Sequence, residues 1–573
     1  MTTGLASPPD AGDAGDAGDG DRTEGPRGPL DDQFEVLIKR RFDELVKRYP
    51  VFATFLGVHS EDGRLSDSSR EATEHSIVDD RHFLADLDLL DPEGLSPRMR
   101  FDRELAIHGT RRGLFDLEEH RLWERRASAM DEIGDGLFLL FARDFAPLQE
   151  RLSSMTSRLE AAPELMRQHR ERVGHRRVRL WDEIEIRTAA SMPGFFDEIT
   201  AAAADAWGID SPEQARLLQA SEEAKAAVAV YTAWLRDTLD QGDDDFALGR
   251  ERYDRLVELR EFDGLTSDEI LTIGEQQLAA HKAARAEVAR SIDADATEAE
   301  VLARVKADHP ADFDAALEAY RESMARARQH VIDRDLATLP EGENLAVVPT
   351  PPYLRNVLPF AAYFAPARFD PDSGGMYLVT PSVDGEPRAM LEHNRASISN
   401  TSIHEAYPGH HVQLATAMRH PSLARLLVDA PEFVEGWGMY SEQMMREQGF
   451  DDSPEHLLIL HTDAIWRAAR IILDVRMHRG DIDVPEAIDL LVEHTGFERA
   501  NATAEVHRYT STPTYQVSYL LGKVMLLRLR EDEQRRLGDR FSLKAFHDAM
   551  LYAGSLPISY QRRVLAGEGS NGR

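Results

Sequence analysis

Phe34, Leu37, Ile38, Phe42 and Leu45 recur at three- and four-residue steps with polar residues between them. This spacing predicts an amphipathic helix that stops near Tyr49-Pro50. The same period returns over Met155–Ile184, Pro212–Leu239, Ser267–Val288 and Phe313–Ile332, so helix dominates the first half of the chain. Between Asn344 and Ala396 the period is lost in a stretch rich in Pro, Gly and aromatic residues. Met376–Thr380, set between Gly374-Gly375 and Pro381, reads as a strand there, and a small sheet is expected. Helical patterning resumes near Ser402 and runs to the C-terminus, with breaks at Pro421, Gly449, Gly480 and Pro513. The fold class is mainly α.

Composition narrows the function. The chain has 573 residues and a formal net charge of −35, which argues against nucleic acid and anionic lipid as partners. It has no cysteine, which excludes thiolate catalysis, disulfides and cysteine-held metals. Any metal must be held by His, Asp and Glu. No apolar run approaches the roughly 18 residues of a membrane span, and the expected location is cytoplasmic. Residues 1–29, with tandem Ala-Gly-Asp triplets and neither a basic start nor an apolar signal core, read as a disordered acidic tail. No P-loop, dinucleotide-binding glycine fingerprint or G-x-S-x-G elbow occurs.

The densest set of metal-capable side chains is His404-Glu405-Ala406-Tyr407-Pro408-Gly409-His410-His411. A His-Glu pair followed by another His is similar to the zinc helix H-E-x-x-H, in which two imidazoles one turn apart bind the ion and the Glu is the base. One turn after His404, however, stands Pro408, which cannot coordinate. On a straight helix His410 would lie about 240° round from His404, and His411 would share its face but about 10 Å further along. Pro408-Gly409 permits a bulge or kink that returns a later imidazole to the site. We favour His410, with His411 as the alternative. The third ligand of a catalytic zinc is commonly a carboxylate. Glu435, about 25 residues beyond His410, is the candidate, with Glu432 and Glu442 as alternatives. Gly436 beside it would leave room for a facing helix and ion. Glu442, two turns on along the same face, fits a role in orienting an imidazole. Trp437 and Tyr440 read as packing residues, and His281 as a surface residue with no ligand cluster near it.

The His404–His411 segment and Glu435-Gly436-Trp437 resemble the signatures of a bacterial family known as domain of unknown function 885. So do Tyr49-Pro50 with Ala53-Thr54 and Leu56-Gly57, Arg467-x-x-Arg470 with Asp474 and His478, and Arg508-Tyr509 through Pro513, Gln516 and Tyr519 to Gly522. The resemblance runs from about Asp31 to the C-terminus. That family is similar in plan to helical zinc peptidases of the angiotensin-converting-enzyme, oligopeptidase and thermostable carboxypeptidase groups. The resemblance implies one large helical domain over 31–565, two-lobed around a deep channel, with a small sheet at the cleft and the zinc motifs within 400–522.

The function expected is a zinc metallopeptidase acting on short peptides. Glu405 would be the general base. Tyr519 is the candidate donor to the oxyanion, with Arg508, Tyr509 and His507 behind it. Packing for Tyr519 and an ion pair with Glu505 for Arg508 are the structural alternatives. The strand about Tyr377 would hold an extended peptide by edge addition, or else form a structural hairpin. The alternatives to a peptidase are a metal-dependent hydrolase of non-peptide amides or esters and a non-catalytic helical binding protein.

Overall fold

A computed structural model describes residues 27–174, 176–350, 355, 361–370, 373–381 and 389–569. The tail expected over 1–29 lies outside these residues as far as position 26. Among the described residues no helix is long and apolar enough to cross a membrane.

The chain is mainly helical, and the described residues form one three-stranded sheet. The helices that matter below are α1 (Asp31–Arg48), α2 (Ala129–Ala142), α3 (Leu148–Arg172), α4 (Arg179–Trp207), α5 (Pro212–Asp237), α6 (Ser267–Ile292) and α7 (Phe313–Asp333). Strands β1 (Leu345–Pro349), β2 (Ala361–Phe364) and β3 (Gly375–Val379) follow. The chain continues with α8 (Arg395–Glu405), α9 (His410–Ala417), α10 (Pro431–Glu447), α11 (Pro454–Arg479), α12 (Arg499–Tyr509) and α13 (Ser518–Leu537). Shorter helices connect them.

Helix α1 has Asp31 and Asp32 in its first turn and Lys47 and Arg48 in its last, complementing the helix dipole, and Pro50 opens a new short helix. The single stretch expected over Met155–Ile184 is two helices. Gly174 donates to the Glu124 carbonyl, and Val178 forms a bridge with Asp243, so the backbone leaves the helical path between Arg172 and Arg179. The apolar period is similar on both sides of this break, which hid it.

Two main cores organise the packing. Helices α2–α5 enclose Leu137, Phe138, Leu159, Phe196 and Tyr231. The larger core gathers α6, α7, α10, α11 and α13 around residues such as Ile273, Trp437, Tyr440, Ile465 and Leu520. The sheet joins them, because successive side chains of β3 point to opposite faces. Leu378 packs with the first core, whereas Tyr377 and Val379 pack with Tyr320 of α7 and Ile398 of α8. Strand β3 is the middle strand, parallel to β1 and antiparallel to β2. The strand about Tyr377 therefore has no free edge, and the expected addition of a peptide to it is corrected.

Two glycine contacts set how closely the site helices approach. A Cβ on Gly436 of α10 would fall 2.6 Å from the Gly522 Cα of α13, and one on Gly522 would fall 2.0 Å from the Glu432 carbonyl oxygen. Only glycine at both positions lets these backbones cross in contact.

Candidate metal centre

Helix α8 ends at Glu405, and α9 begins at His410. The zinc-type motif is thus split between two helices rather than lying on one kinked helix. Gly409 donates to the Ile403 carbonyl at 3.1 Å, and a Cβ there would sit 1.9 Å from the His404 carbonyl oxygen, so no other residue fits the turn. Trp437 Nε1 donates to the Pro408 carbonyl at 2.8 Å and staples the break to α10. The result brings His410 beside His404, their rings 4.6 Å apart and nearly perpendicular.

Opposite them runs a stripe along one face of α10 formed by Glu435, Gly438 and Glu442. His404 lies across this stripe. Its Nδ1 is 2.7 Å from Glu442 Oε1, and its Nε2 is 3.6 Å from Glu435 Oε2. His410 Nε2 is 3.3 Å from the same oxygen. One ligand atom each from His404, His410 and Glu435 lies within 4.8 Å of the others, the only such group among the described residues.

The donor set fits a zinc ion. Tetrahedral bonds of about 2.0–2.2 Å place neighbouring ligand atoms roughly 3.3–3.6 Å apart, the range of the two His–Glu435 distances. His404 presents Nε2 because Nδ1 is held by Glu442, the carboxylate–histidine arrangement that fixes a metal-binding imidazole. Asn400, one turn before His404, donates to Glu442 Oε2 at 3.0 Å and to Asp463 Oδ2 at 2.9 Å. Burial would push the His404 imidazole down, but hydrogen bonds with Glu435 and Glu442 outweigh it and hold its pKa at about 10. Burial would likewise raise Glu435, yet the two imidazoles keep it well below the usual carboxylate range. The pocket is electrically built for a cation.

It is Gly438, not Gly436, that makes room for the imidazole: a Cβ there would meet His404 Cε1 at 2.6 Å. Gly436 makes room for α13. His411 points away from the centre. Its Nε2 is 2.8 Å from Glu343 Oε2 and its Nδ1 is 3.0 Å from the Tyr363 hydroxyl, while Tyr407 and Arg328 also donate to Glu343. This network ties the motif to the sheet. Glu432 is buried outside the group, and burial pushes its carboxyl up to about 7.

Glu405 is half-buried and has no hydrogen-bond partner among the described residues. Its charge acts on His404, on Tyr320 and on Tyr363 and Tyr377 of the sheet. Tyr519 is joined to the centre through a residue the sequence reading passed over. Tyr515 donates to Glu435 Oε1 at 2.8 Å, and Tyr519 donates to the Tyr515 hydroxyl at 3.5 Å. The Glu435 charge and burial raise the Tyr515 hydroxyl well above its ordinary value, so it stays a donor. The signal was present as two tyrosines one turn apart ahead of Gly522.

Arg508 is half-exposed and paired with Glu505 at 2.8 Å, the structural alternative noted from its spacing. Tyr509 is buried, with its hydroxyl on the same Glu505. Burial lowers the His507 imidazole, and no contact joins it to the ligand group. His281, expected at the surface, is half-buried with its Nδ1 3.0 Å from His461 Nδ1, because α6 packs along α11. Neither imidazole belongs to the ligand group.

Residues 50–565 match the family described as bacterial protein of unknown function (DUF885), and the chain belongs to that family. No curated protein matches it. Two solved structures share its fold. One, provisionally described as a lipoprotein of unknown function from Shewanella oneidensis, is 23% identical with a TM-score of 0.76, over 93% of this chain and 99% of the other. The second, provisionally described as a lipoprotein from Colwellia psychrerythraea, is 17% identical with a TM-score of 0.81, over 94% and 98%.

Proposed function

We propose that this member of the family is a zinc-dependent hydrolase, a metallopeptidase of short peptides, with His404, His410 and Glu435 as ligands. The observation that carries the reading is the convergence of two imidazole Nε2 atoms and one carboxylate oxygen, buried together, with Glu442 orienting His404. A zinc ion held there would lower the pKa of a bound water towards about 7 and polarise a scissile carbonyl.

The chain supplies the rest. Glu405 adjoins a ligand and has no hydrogen-bond partner among the described residues, so its carboxylate is available to take the proton of the attacking water and hand it to the leaving amine. Tyr515 and Tyr519 keep their protons on the Glu435 side; Tyr515 gives its one O–H to Glu435 and Tyr519 its own to Tyr515, so either would serve an oxyanion on turning its hydroxyl away from that acceptor. Tyr515 is the nearer of the two. Arg508, held by Glu505, contributes charge from a distance and makes no contact with the ligand group.

Glu405→Gln tests the reading. The amide is nearly isosteric and cannot accept a proton, so bound zinc and fold should persist while peptide hydrolysis falls about 10²- to 10⁴-fold. Hydrolysis at the wild-type rate would remove Glu405 from the mechanism. A peptide library run beside small amides and esters decides between a peptidase and a hydrolase of non-peptide bonds. Cytoplasmic residence, expected from composition, stands against the lipoprotein descriptions of the two solved neighbours, and cell fractionation decides it.

A further inference from the structure

Beside the Tyr519 ring lies a cation that the reading above does not use. Two guanidiniums lie against this ring and a third acts on it by charge. Arg470 lies 4.9 Å from its centroid and Arg467 5.9 Å, and the charge of Arg508 also acts on its hydroxyl. Arg470 and Arg508 share Glu505 as counter-ion, at 2.9 and 2.8 Å. Among the described residues Arg467 makes no hydrogen bond and no direct ion pair. Its charge acts on the buried acids Asp463 and Glu442, yet its N–H donors are committed to neither.

Its setting is built. The guanidinium lies 3.9 Å from the Trp466 ring centroid. Stacking of this kind fixes a guanidinium plane while leaving its in-plane N–H donors free, the geometry that receives a carboxylate through two parallel bonds. Arg467 stands one turn after Asp463, which binds Asn400 behind Glu442, and its charge reaches both acids. It therefore lies on the face of α11 turned towards the centre. A chain of contacts, from Arg467 to the Tyr519 ring, to the Tyr515 hydroxyl, to Glu435, joins this free fork to the metal group.

We propose that Arg467 receives the free C-terminal carboxylate of the substrate, so that the protein removes short fragments from the C-terminal ends of peptides. The assignment rests on the peptidase reading and narrows it. An extended peptide advances about 3.3–3.6 Å per residue, so a carboxylate anchored on Arg467 puts a bond only a few residues from the terminus at the metal group. Arg470 and Arg508 are paired with Glu505, which leaves Arg467 as the one uncommitted guanidinium beside Tyr519 among the described residues and fits one carboxylate.

The test uses the full-length chain purified with zinc and three probes: a short peptide as the free acid, the same peptide as the C-terminal amide, and an amidated peptide with an internal Asp. The free acid should be cleaved with a kcat/KM about 10- to 100-fold above the amide, the preference lying in KM, as a charge-assisted bidentate pair supplies. Arg467→Ala should bring the ratio of acid to amide cleavage close to one. Arg467→Lys should restore part of the preference, since the ammonium keeps the charge and loses the fork. Equal cleavage of acid and amide, insensitive to Arg467→Ala, would overturn the assignment and leave the hydrolase intact. Preference for the internal Asp peptide over the plain amide, equal to that for the free acid, would overturn the C-terminal assignment too.

Binding of the same probes to the Glu405→Gln chain by calorimetry separates the two readings. Acid-selective binding that depends on Arg467, with no turnover of any probe by the wild-type chain, would keep the carboxylate site and sink the peptidase. No binding of the acid would sink the site.

Discussion

Gly438→Ala is the sharpest perturbation of the centre because it replaces no ligand. The new Cβ would stand 2.6 Å from His404 Cε1, 2.8 Å from Nε2 and 2.9 Å from Nδ1. Carbon atoms in good contact sit about 3.5–4.0 Å apart, so the ring must retreat by roughly 1 Å. Ligand distances in a metal site are held to about ±0.2 Å, and the 2.7 Å bond from Nδ1 to Glu442 would stretch as well. Displacing a ligand should cost more than the roughly 10- to 100-fold loss typical of disturbing a residue behind one, so zinc affinity should fall at least ~100-fold. Helix propensity acts the other way, since Ala in a helix interior is favoured over Gly by about 0.5–1 kcal/mol. The metal-free chain should therefore melt within a few degrees of the wild type. Chelator competition reads the affinity, and thermal melting of the metal-free protein reads the fold. Wild-type zinc affinity in Gly438→Ala, with His404→Ala losing the metal, would refute the placement of the imidazole against α10.

Glu442→Gln should weaken zinc by about 10- to 100-fold without changing the stoichiometry, because it orients His404 without belonging to the ligand group, whereas Glu432→Gln should leave affinity unchanged; the same chelator titration ranks them. Away from the site, burial and the nearby Asp131 charge push the Glu185 carboxyl up to about 8 among α2, α4 and α5. Its folded pKa exceeds its unfolded value near 4.5, so the stability it contributes is complete below about 4.5 and is lost as pH rises through about 8. Glu185→Gln, still able to accept from the Met130 amide and the Tyr231 hydroxyl, should melt higher than wild type at pH 8 and alike at pH 4, as paired thermal scans would show.

The sequence made the ligand chemistry legible more readily than the geometry that gathers it. His404 and Glu435 could be nominated from residue type and spacing, and the three-plus-four step from Glu435 through Gly438 to Glu442 is readable as one helical face. His410 was favoured over His411, but counting positions along one helix could not supply the ground for it. The choice depends on α8 ending at Glu405 and α9 starting at His410, a break that resets the helical phase, so angles counted along one straight helix do not apply. Tyr515 was missed for a related reason. It sits in a turn before α13, where no periodicity marks a face, and only the crossing of α10 and α13 brings it to Glu435. The middle position of β3 was equally hidden, because strand order depends on partners distant in sequence.

The convergence rests on side chains that are missing. Gly409 allows the chain to turn back on His404, Gly438 seats the imidazole, and Gly436 with Gly522 brings α13 against α10 so that Tyr515 reaches Glu435. At each of these positions a single added carbon would fall within 2.6 Å of another atom, closer than ordinary contact permits. The His and Glu residues thus state which ion can bind, and the glycines state that the ligands can meet. A related chain that kept His404, His410 and Glu435 but carried larger residues at the Gly409, Gly438 and Gly522 positions would retain the motif and, by this reasoning, lose the centre. A zinc-replete protein with such replacements would show that the backbone can open to admit them, and that the close approach of α10 to its neighbours is not what assembles the site.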